Sequence, residues 1–316
     1  MRIIVTGGAG RLGRSVATEL ASAGHHVVSV DRTDPGLAGV EGRVADLLDH
    51  DATHELFASL RPEAVVHLAA IAVPFSAPEP VILSTNQSLA FTALTAGIAA
   101  GASRLLAASS PTVIGYGAPG GWTPTALPIT EEHPTAPWNA YALSKVAIES
   151  TVSMLARAHG ADVVISAFRP CFVVSPEEWE GAPTQQGHTI VDRLADPALA
   201  AVSLYNYLDA RDAGRFVTAW LDHAEARHSG EVYFVGADDA LALAPLSDLL
   251  PALVPSTAGF ADDLTDHEAA FSSAKAKDAF GWQPLHHWPS ALSPTEFARL
   301  RDVLAASDTA SISTPR

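Results

Sequence analysis

The sequence predicts an α/β fold, a doubly wound parallel sheet with a smaller C-terminal lobe. Three observations carry this. Short β-branched runs alternate with helix-like stretches from the first residues onward. A glycine-rich turn, Gly7-Gly8-Ala9-Gly10-Arg11-Leu12-Gly13, follows the first such run and opens the first helix. Tyr141 and Lys145 stand four residues apart in a later helical stretch, which puts them on one face.

The elements follow in order. Arg2 to Thr6 reads as a strand, Arg14 to Ala23 as a helix stopped by Gly24, and His26 to Val30 as a second strand ending at Asp31. Arg43-Val44-Ala45 is a short strand before Asp46-Leu47, and Ala64 to His67 is another before Leu68-Ala69-Ala70. Pro80 to Ala100 reads as a long helix containing Asn86, and Ser103 to Ala108 as a strand before Ser109-Ser110. Asn139 caps a helix running to His159, and Val163 to Phe168 is the sixth strand. Asp192 to Ala200 reads as a short helix, Asp209 to Ala226 as a longer one, and Glu231 to Val235 as a strand returning to the sheet. The Rossmann-like part is expected over 1–170 and 204–236, and the substrate-binding lobe over 171–203 and 237–306. The small, polar stretch 307–316 is expected to be disordered.

Strand, glycine turn, helix, strand and acid form the context a dinucleotide requires. Gly7 permits the tight turn, Gly10 lets a pyrophosphate approach backbone, and Gly13 allows close packing. The helix start offers free N–H groups to phosphate. Asp31 accepts from an adenosine ribose and favours NAD over NADP. Arg32 leaves NADP open, because it pairs with a 2'-phosphate, stacks on adenine or faces water. In such sheets ligands bind beyond the carboxyl ends of the strands, so Asp31, Asp46, Leu68, Ser110 and Arg169 are expected around one crevice. A lysine ammonium near a phenol stabilises the phenolate, so Tyr141 is expected to have a lowered pKa and to move a proton to or from a substrate hydroxyl.

Composition narrows the classes. The formal net charge of -16 disfavours nucleic acid and anionic membranes as partners. The single cysteine, Cys171, permits no intramolecular disulfide and reads as a small packed residue. No signal peptide or spanning run of about 20 apolar residues is read, so a cytoplasmic protein is expected. The thirteen histidines show no metal spacing; the adjacent pairs His25-His26 and His286-His287 are expected at the surface.

Taken together, these motifs resemble the extended branch of the short-chain dehydrogenase/reductase superfamily, the NAD-dependent epimerase/dehydratase type. Asp46-Leu47, His67-Leu68-Ala69-Ala70, Asn86, Ser109-Ser110, Arg169-Pro170, Tyr207-Leu208-Asp209 and Phe280-Gly281-Trp282 carry the likeness beside the turn and the Tyr141–Lys145 pair. The resemblance implies Tyr141 as general acid/base, Lys145 on the nicotinamide ribose, and Ser110 orienting the substrate oxygen. It places Asp46 and Leu47 at the adenine, Leu68, Ala69 and Ala70 along the cofactor, with Arg11 and Leu12 in the turn, and Pro170 beside the nicotinamide. Asn86 is implied to be structural, and a homodimer is implied.

The sequence departs from nucleotide-sugar members where substrate binds. Phe172 replaces an Asn, Ser175 replaces a Gly, Ile114 replaces a Tyr, and Ser203 and Leu204 occupy the region of an expected Arg. A diphosphate needs charge-assisted partners that these changes remove. The run Ser109 to Tyr116 is partly similar to uronate dehydrogenase, which has Asn-His where Pro111-Thr112 stands here. The expected substrate is therefore a small polar, sugar-like molecule, with Thr112, Phe172 and Trp179 as its candidate contacts. Gly117 to Pro137 and Pro176 to His188 are the candidate specificity segments. The expected activity is NAD(P)-dependent oxidation or reduction at a hydroxyl or keto carbon. An epimerase or dehydratase that recycles NAD, and a non-catalytic dinucleotide sensor, are the alternatives.

Overall fold

The fold is given by a computed structural model that describes residues 1–312, with side chains through 306. Apart from the end of its last helix, the tail expected at 307–316 lies outside the described residues.

Strand β1 (Arg2–Thr6) leads into α1 (Arg11–Ser22), β2 (His26–Asp31) and β3 (Val40–Val44). Helix α2 (His50–Leu60), β4 (Ala64–His67), α3 (Glu79–Ala99) and β5 (Arg104–Ala108) follow. Helix α4 (Ala140–His159) and β6 (Val164–Pro170) complete the part that holds the sequence motifs. Two short pairing strands, β7 (Val173–Val174) and β8 (Leu208–Asp209), flank α5 (Pro176–Trp179), α6 (Ile190–Ala195) and α7 (Pro197–Ala201). Helix α8 (Ala210–His223) returns the chain to β9 (Val232–Val235), and α9 (Leu246–Leu253), α10 (Ala274–Phe280), α11 (Trp288–Ala291) and α12 (Pro294–Ile312) close it.

The main sheet has seven parallel strands in the order β3-β2-β1-β4-β5-β6-β9. The order reverses at β1, so the crevice for a ligand opens beyond the ends of β1 and β4. Alternate residues serve opposite faces. Ile3, Val5 and Val66 join the core under α1 and α8, whereas Ile4, Val28 and Val65 join the core under α2, α3 and α4. A third apolar cluster, built on Trp179, Ile190, Leu194, Tyr207 and Leu241, lies apart from these two.

Several boundaries differ from expectation. The third strand starts earlier, at Val40, pairing with Val27. The helix expected over 192–200 is two helices, because Pro197 cannot continue the first; Asp196 caps the second by accepting from Ala198 N at 3.1 Å. Asp209 caps α8 instead of lying within it.

Helix α3 is long and apolar enough to cross a membrane by length and composition, contrary to the sequence expectation. Here it is a layer of the fold, with Ile82, Ala90, Ala93 and Leu94 buried and Asn86 at its centre. His286 and His287 also differ from plain surface residues. Their Nδ1 atoms lie 3.0 Å from Asp212 Oδ1 and 2.8 Å from Asp239 Oδ1, pinning the C-terminal segment to α8 and to the loop after β9.

Candidate active site

A crevice of about 990 Å³ runs across the strand ends, from the glycine turn to the start of α4. Gly7 has φ +72°, and a Cβ there would stand 2.6 Å from Ala69 N. A Cβ on Gly13 would stand 2.0 Å from Gly7 O, so the turn closes only with glycine at both positions. Gly10 precedes the first turn of α1, whose leading N–H groups have no intrahelical acceptor. This backbone cradle, which side chains would fill, fits a pyrophosphate.

Asp31 closes the same end. Its Oδ2 accepts from Ala9 N at 3.0 Å and its Oδ1 from Arg32 N at 2.6 Å. Arg32, Asp46 and Leu47 line the crevice beside it, and Leu68, Ala69 and Ala70 line its middle. Arg11 and Leu12 also face it; the Arg11 guanidinium is paired with the buried carboxylate of Glu178, which ties the turn to α5.

At the far end stand Ser110, Thr112, Tyr141, Lys145, Pro170 and Phe172. Asn139 starts α4 by accepting from Ala142 N at 2.9 Å, which fixes where Tyr141 and Lys145 emerge. Asn86 braces this end: its Oδ1 accepts from Ile71 N at 2.7 Å, and its Nδ2 donates to Ser144 Oγ at 3.1 Å. The Ser110 hydroxyl lies close enough to the Tyr141 phenol to influence its ionisation, and it accepts from Thr112 Oγ1 at 3.0 Å.

The expected lowering of the Tyr141 pKa is not found. Burial pushes the phenol above its ordinary value of 10, with the Ser110 hydroxyl acting in the opposite sense. The reason is geometric. Lys145 Nζ donates to Ala108 O at 2.9 Å and lies 5.6 Å from the Tyr141 ring centre. Burial lowers Lys145 to about 8, opposed by the charge of Glu149. Glu149 is itself held on both oxygens, by Arg169 Nε at 2.7 Å and Arg169 Nη2 at 2.9 Å, and accepts from Ser109 Oγ at 2.6 Å.

Trp179 is a correction. It is 1% exposed, belongs to the third apolar cluster and donates from Nε1 to Asp209 Oδ2 at 2.7 Å, so it does not face the crevice. The capping box of Ser175 and Glu178 starts a one-turn helix that rotates the indole inward. The loop 117–137 is tied down rather than free: Trp122 Nε1 donates to Ile114 O at 2.8 Å, and Ile129 N to Ala270 O at 2.8 Å. Cys171 is buried and its thiol is pushed up by burial, with Glu131 adding to the rise.

Sequence reasoning missed Phe75 and Asn206, which line this end together with Tyr116 and Trp138. Asn206 Oδ1 accepts from Phe172 N at 2.7 Å, and its Nδ2 donates to Ser203 O. The turn before it holds Leu204 and Tyr205 at φ +50° and +58°, a conformation no glycine advertises in the sequence. Among the described residues, no group of three or more His, Cys, Asp or Glu side chains is placed to hold a metal ion.

The model of the family described as the NAD dependent epimerase/dehydratase family matches residues 3–236. UDP-glucose 4-epimerase 1 of Oryza sativa subsp. japonica is 34% identical over 164 residues, 46% of this chain and 44% of that protein. This chain spans about half the length of the first curated relatives it matches. The 2'-dehydrokanamycin reductase of Streptomyces kanamyceticus is 29% identical over 234 residues, 72% of this chain and 60% of that protein. A solved short-chain dehydrogenase/reductase superfamily protein from Agrobacterium tumefaciens, with bound NAD, covers 98% of this chain and 100% of its own. Its TM-score is 0.69 at 24% identity, a likeness of fold. The family match covers most of the chain and runs through both the glycine turn and the helix bearing Tyr141 and Lys145, so this chain belongs to the NAD-dependent epimerase/dehydratase family.

Proposed function

We propose that the protein is an NAD-dependent oxidoreductase acting on a hydroxyl or keto carbon of a small, sugar-like substrate. One observation carries the reading: Ser110, Tyr141 and Lys145 converge at one end of a crevice whose other end is the glycine turn and Asp31. Bound NAD supplies the acceptor or donor of hydride. The chain supplies the rest. Gly7, Gly10 and Gly13 open the phosphate cradle, Asp31 takes the adenosine ribose, Asp46 and Leu47 flank the adenine, and Pro170 packs at the nicotinamide end. Ser110 orients the substrate oxygen, Tyr141 moves its proton, and Lys145 binds the second ribose and stabilises a developing phenolate. Residues 1–170 and 204–236 carry the cofactor, and 171–203 with 237–306 the substrate.

The assay is nicotinamide absorbance with free sugars, sugar acids and UDP-hexoses, with products weighed by mass spectrometry. Net NADH formation is the expected result. A second reading, an epimerase or dehydratase that recycles NAD, is favoured by the likeness to UDP-glucose 4-epimerases. An isomerised or dehydrated sugar without net NADH would establish it instead.

Asp31→Ser is expected to weaken NAD about tenfold, the loss of a charge-assisted hydrogen bond, and to admit NADP through Arg32. Fluorescence titration with NADH and NADPH checks this; unchanged NADH affinity would remove Asp31 from the ribose. A homodimer is the expected assembly, through α3 and α4, where Phe91, Leu143 and Met154 are 44%, 45% and 45% exposed. Light scattering at micromolar concentration that returned a monomer mass would reject it.

A further inference from the structure

The substrate end of the crevice is apolar and amide-lined rather than charged. On one lip, Phe75 follows the β4 strand end with φ +62°, a left-handed backbone disfavoured for so large a side chain, and it is 60% exposed. On the other lip, Trp138 stands three residues before Tyr141. The two rings meet with centroids 5.6 Å apart and tilted by 40°. Trp138 Nε1 donates to Tyr116 O at 3.1 Å, so the indole is oriented by backbone. Exposed aromatics held at a crevice mouth against a backbone preference have the form of a ligand clamp.

The exposed amides lining this end are Gln185 and Gln186; Asn206 is buried, with its Oδ1 accepting from Phe172 N and its Nδ2 donating to Ser203 O. Arg193 lies beneath this end and does not line the crevice; two of its three guanidinium nitrogens are bonded within the protein. It is fully buried, donates from Nη1 to Gln186 Oε1 at 2.5 Å and from Nη2 to Ser203 Oγ at 2.9 Å, and lies 4.3 Å from the Phe172 ring centre. Phe172, which lines the crevice, stacks on this guanidinium. The lining cations are Lys145 at the catalytic tyrosine, and Arg11 and Arg32 at the dinucleotide end. A diphosphate at this end would be desolvated without a charged partner.

We propose that this end of the crevice binds an uncharged, phosphate-free sugar or glycoside, with an apolar ring face on the Phe75–Trp138 pair and hydroxyls on the Gln185 and Gln186 amides. The proposal rests on the reading of Tyr141 as the group that meets the substrate hydroxyl. Aromatic faces take the C–H face of a pyranose or a phenyl aglycone equally well, and side-chain amides both donate to and accept from hydroxyls.

The test is saturation-transfer difference NMR on the full chain, with and without saturating NAD. The probes are phenyl β-D-glucopyranoside, phenyl β-D-galactopyranoside, glucuronate and UDP-glucose. The expected result is transfer to the phenyl glycosides and none to UDP-glucose or glucuronate. Phe75→Ala and Trp138→Ala should each weaken glycoside binding about tenfold, the order of one lost stacking contact. Phe75→Leu, which keeps an apolar side chain, should lose less. NADH fluorescence on each variant reports that the fold is intact. Preferred binding of UDP-glucose or glucuronate, glycoside binding unchanged in both alanine variants, or no glycoside binding would overturn the proposal. Glycoside binding by a protein that takes up no NAD would sink the dinucleotide reading and leave the aromatic clamp standing.

Discussion

Tyr141→Phe is expected to lower turnover by about 10²–10⁴-fold, the usual contribution of a positioned proton donor or acceptor, with little change in NAD affinity. The phenol is buried beside Ser110, so its loss removes one hydroxyl from a preorganised pair without opening a cavity. The pH dependence has a defined sign. Burial brings Lys145 down to about 8, so its ammonium is present below that value and lost above it. Turnover that needs the ammonium to stabilise the phenolate should fall as pH rises through this range. A Phe variant with turnover within a few-fold of the parent would refute the mechanism.

Glu149→Gln should cost more in stability than any other single change considered. It leaves the Arg169 guanidinium, 3% exposed as a residue, without its carboxylate. Breaking a buried pair from one side typically costs about 3–5 kcal/mol. Urea unfolding of the variant measures this. The double replacement Glu149→Leu with Arg169→Met removes both charges and should cost much less, because no uncompensated charge remains. The same carboxylate raises Lys145, so Glu149→Gln should also move the alkaline limb of the rate profile to lower pH. Equal losses in the single and double variants, with the limb unmoved, would show that the pair neither compensates charge nor acts on Lys145.

Much of this site was legible because it depends on local backbone. The glycine turn needs φ +72° at Gly7 and close approach at Gly13, and only one residue type permits both. The Tyr141 and Lys145 spacing needs only a helix, and Asn139 announces where it begins. Strand-end positions follow from the alternation of strands and helices, which placed Asp31, Asp46, Leu68 and Ser110 around one crevice; Arg169, expected with them, is instead buried against Glu149 and does not line it.

The direction in which long side chains point was not legible. Trp179 and Phe172 looked equivalent in sequence, both aromatic and near the same strand end. A one-turn helix buries the first against Asp209, while the second caps Arg193 and faces the crevice. The lysine's effect on Tyr141 also depended on more than spacing, since the Ala108 carbonyl takes the ammonium and burial acts on the phenol. The sequence by itself determined the parallel sheet, the dinucleotide turn and the residues at the strand ends, because periodicity and glycine conformation act over a few residues. Only the tertiary structure decided which aromatics face the ligand, which cations are already paired and how burial moves each ionisation, because those depend on neighbours far away in the chain.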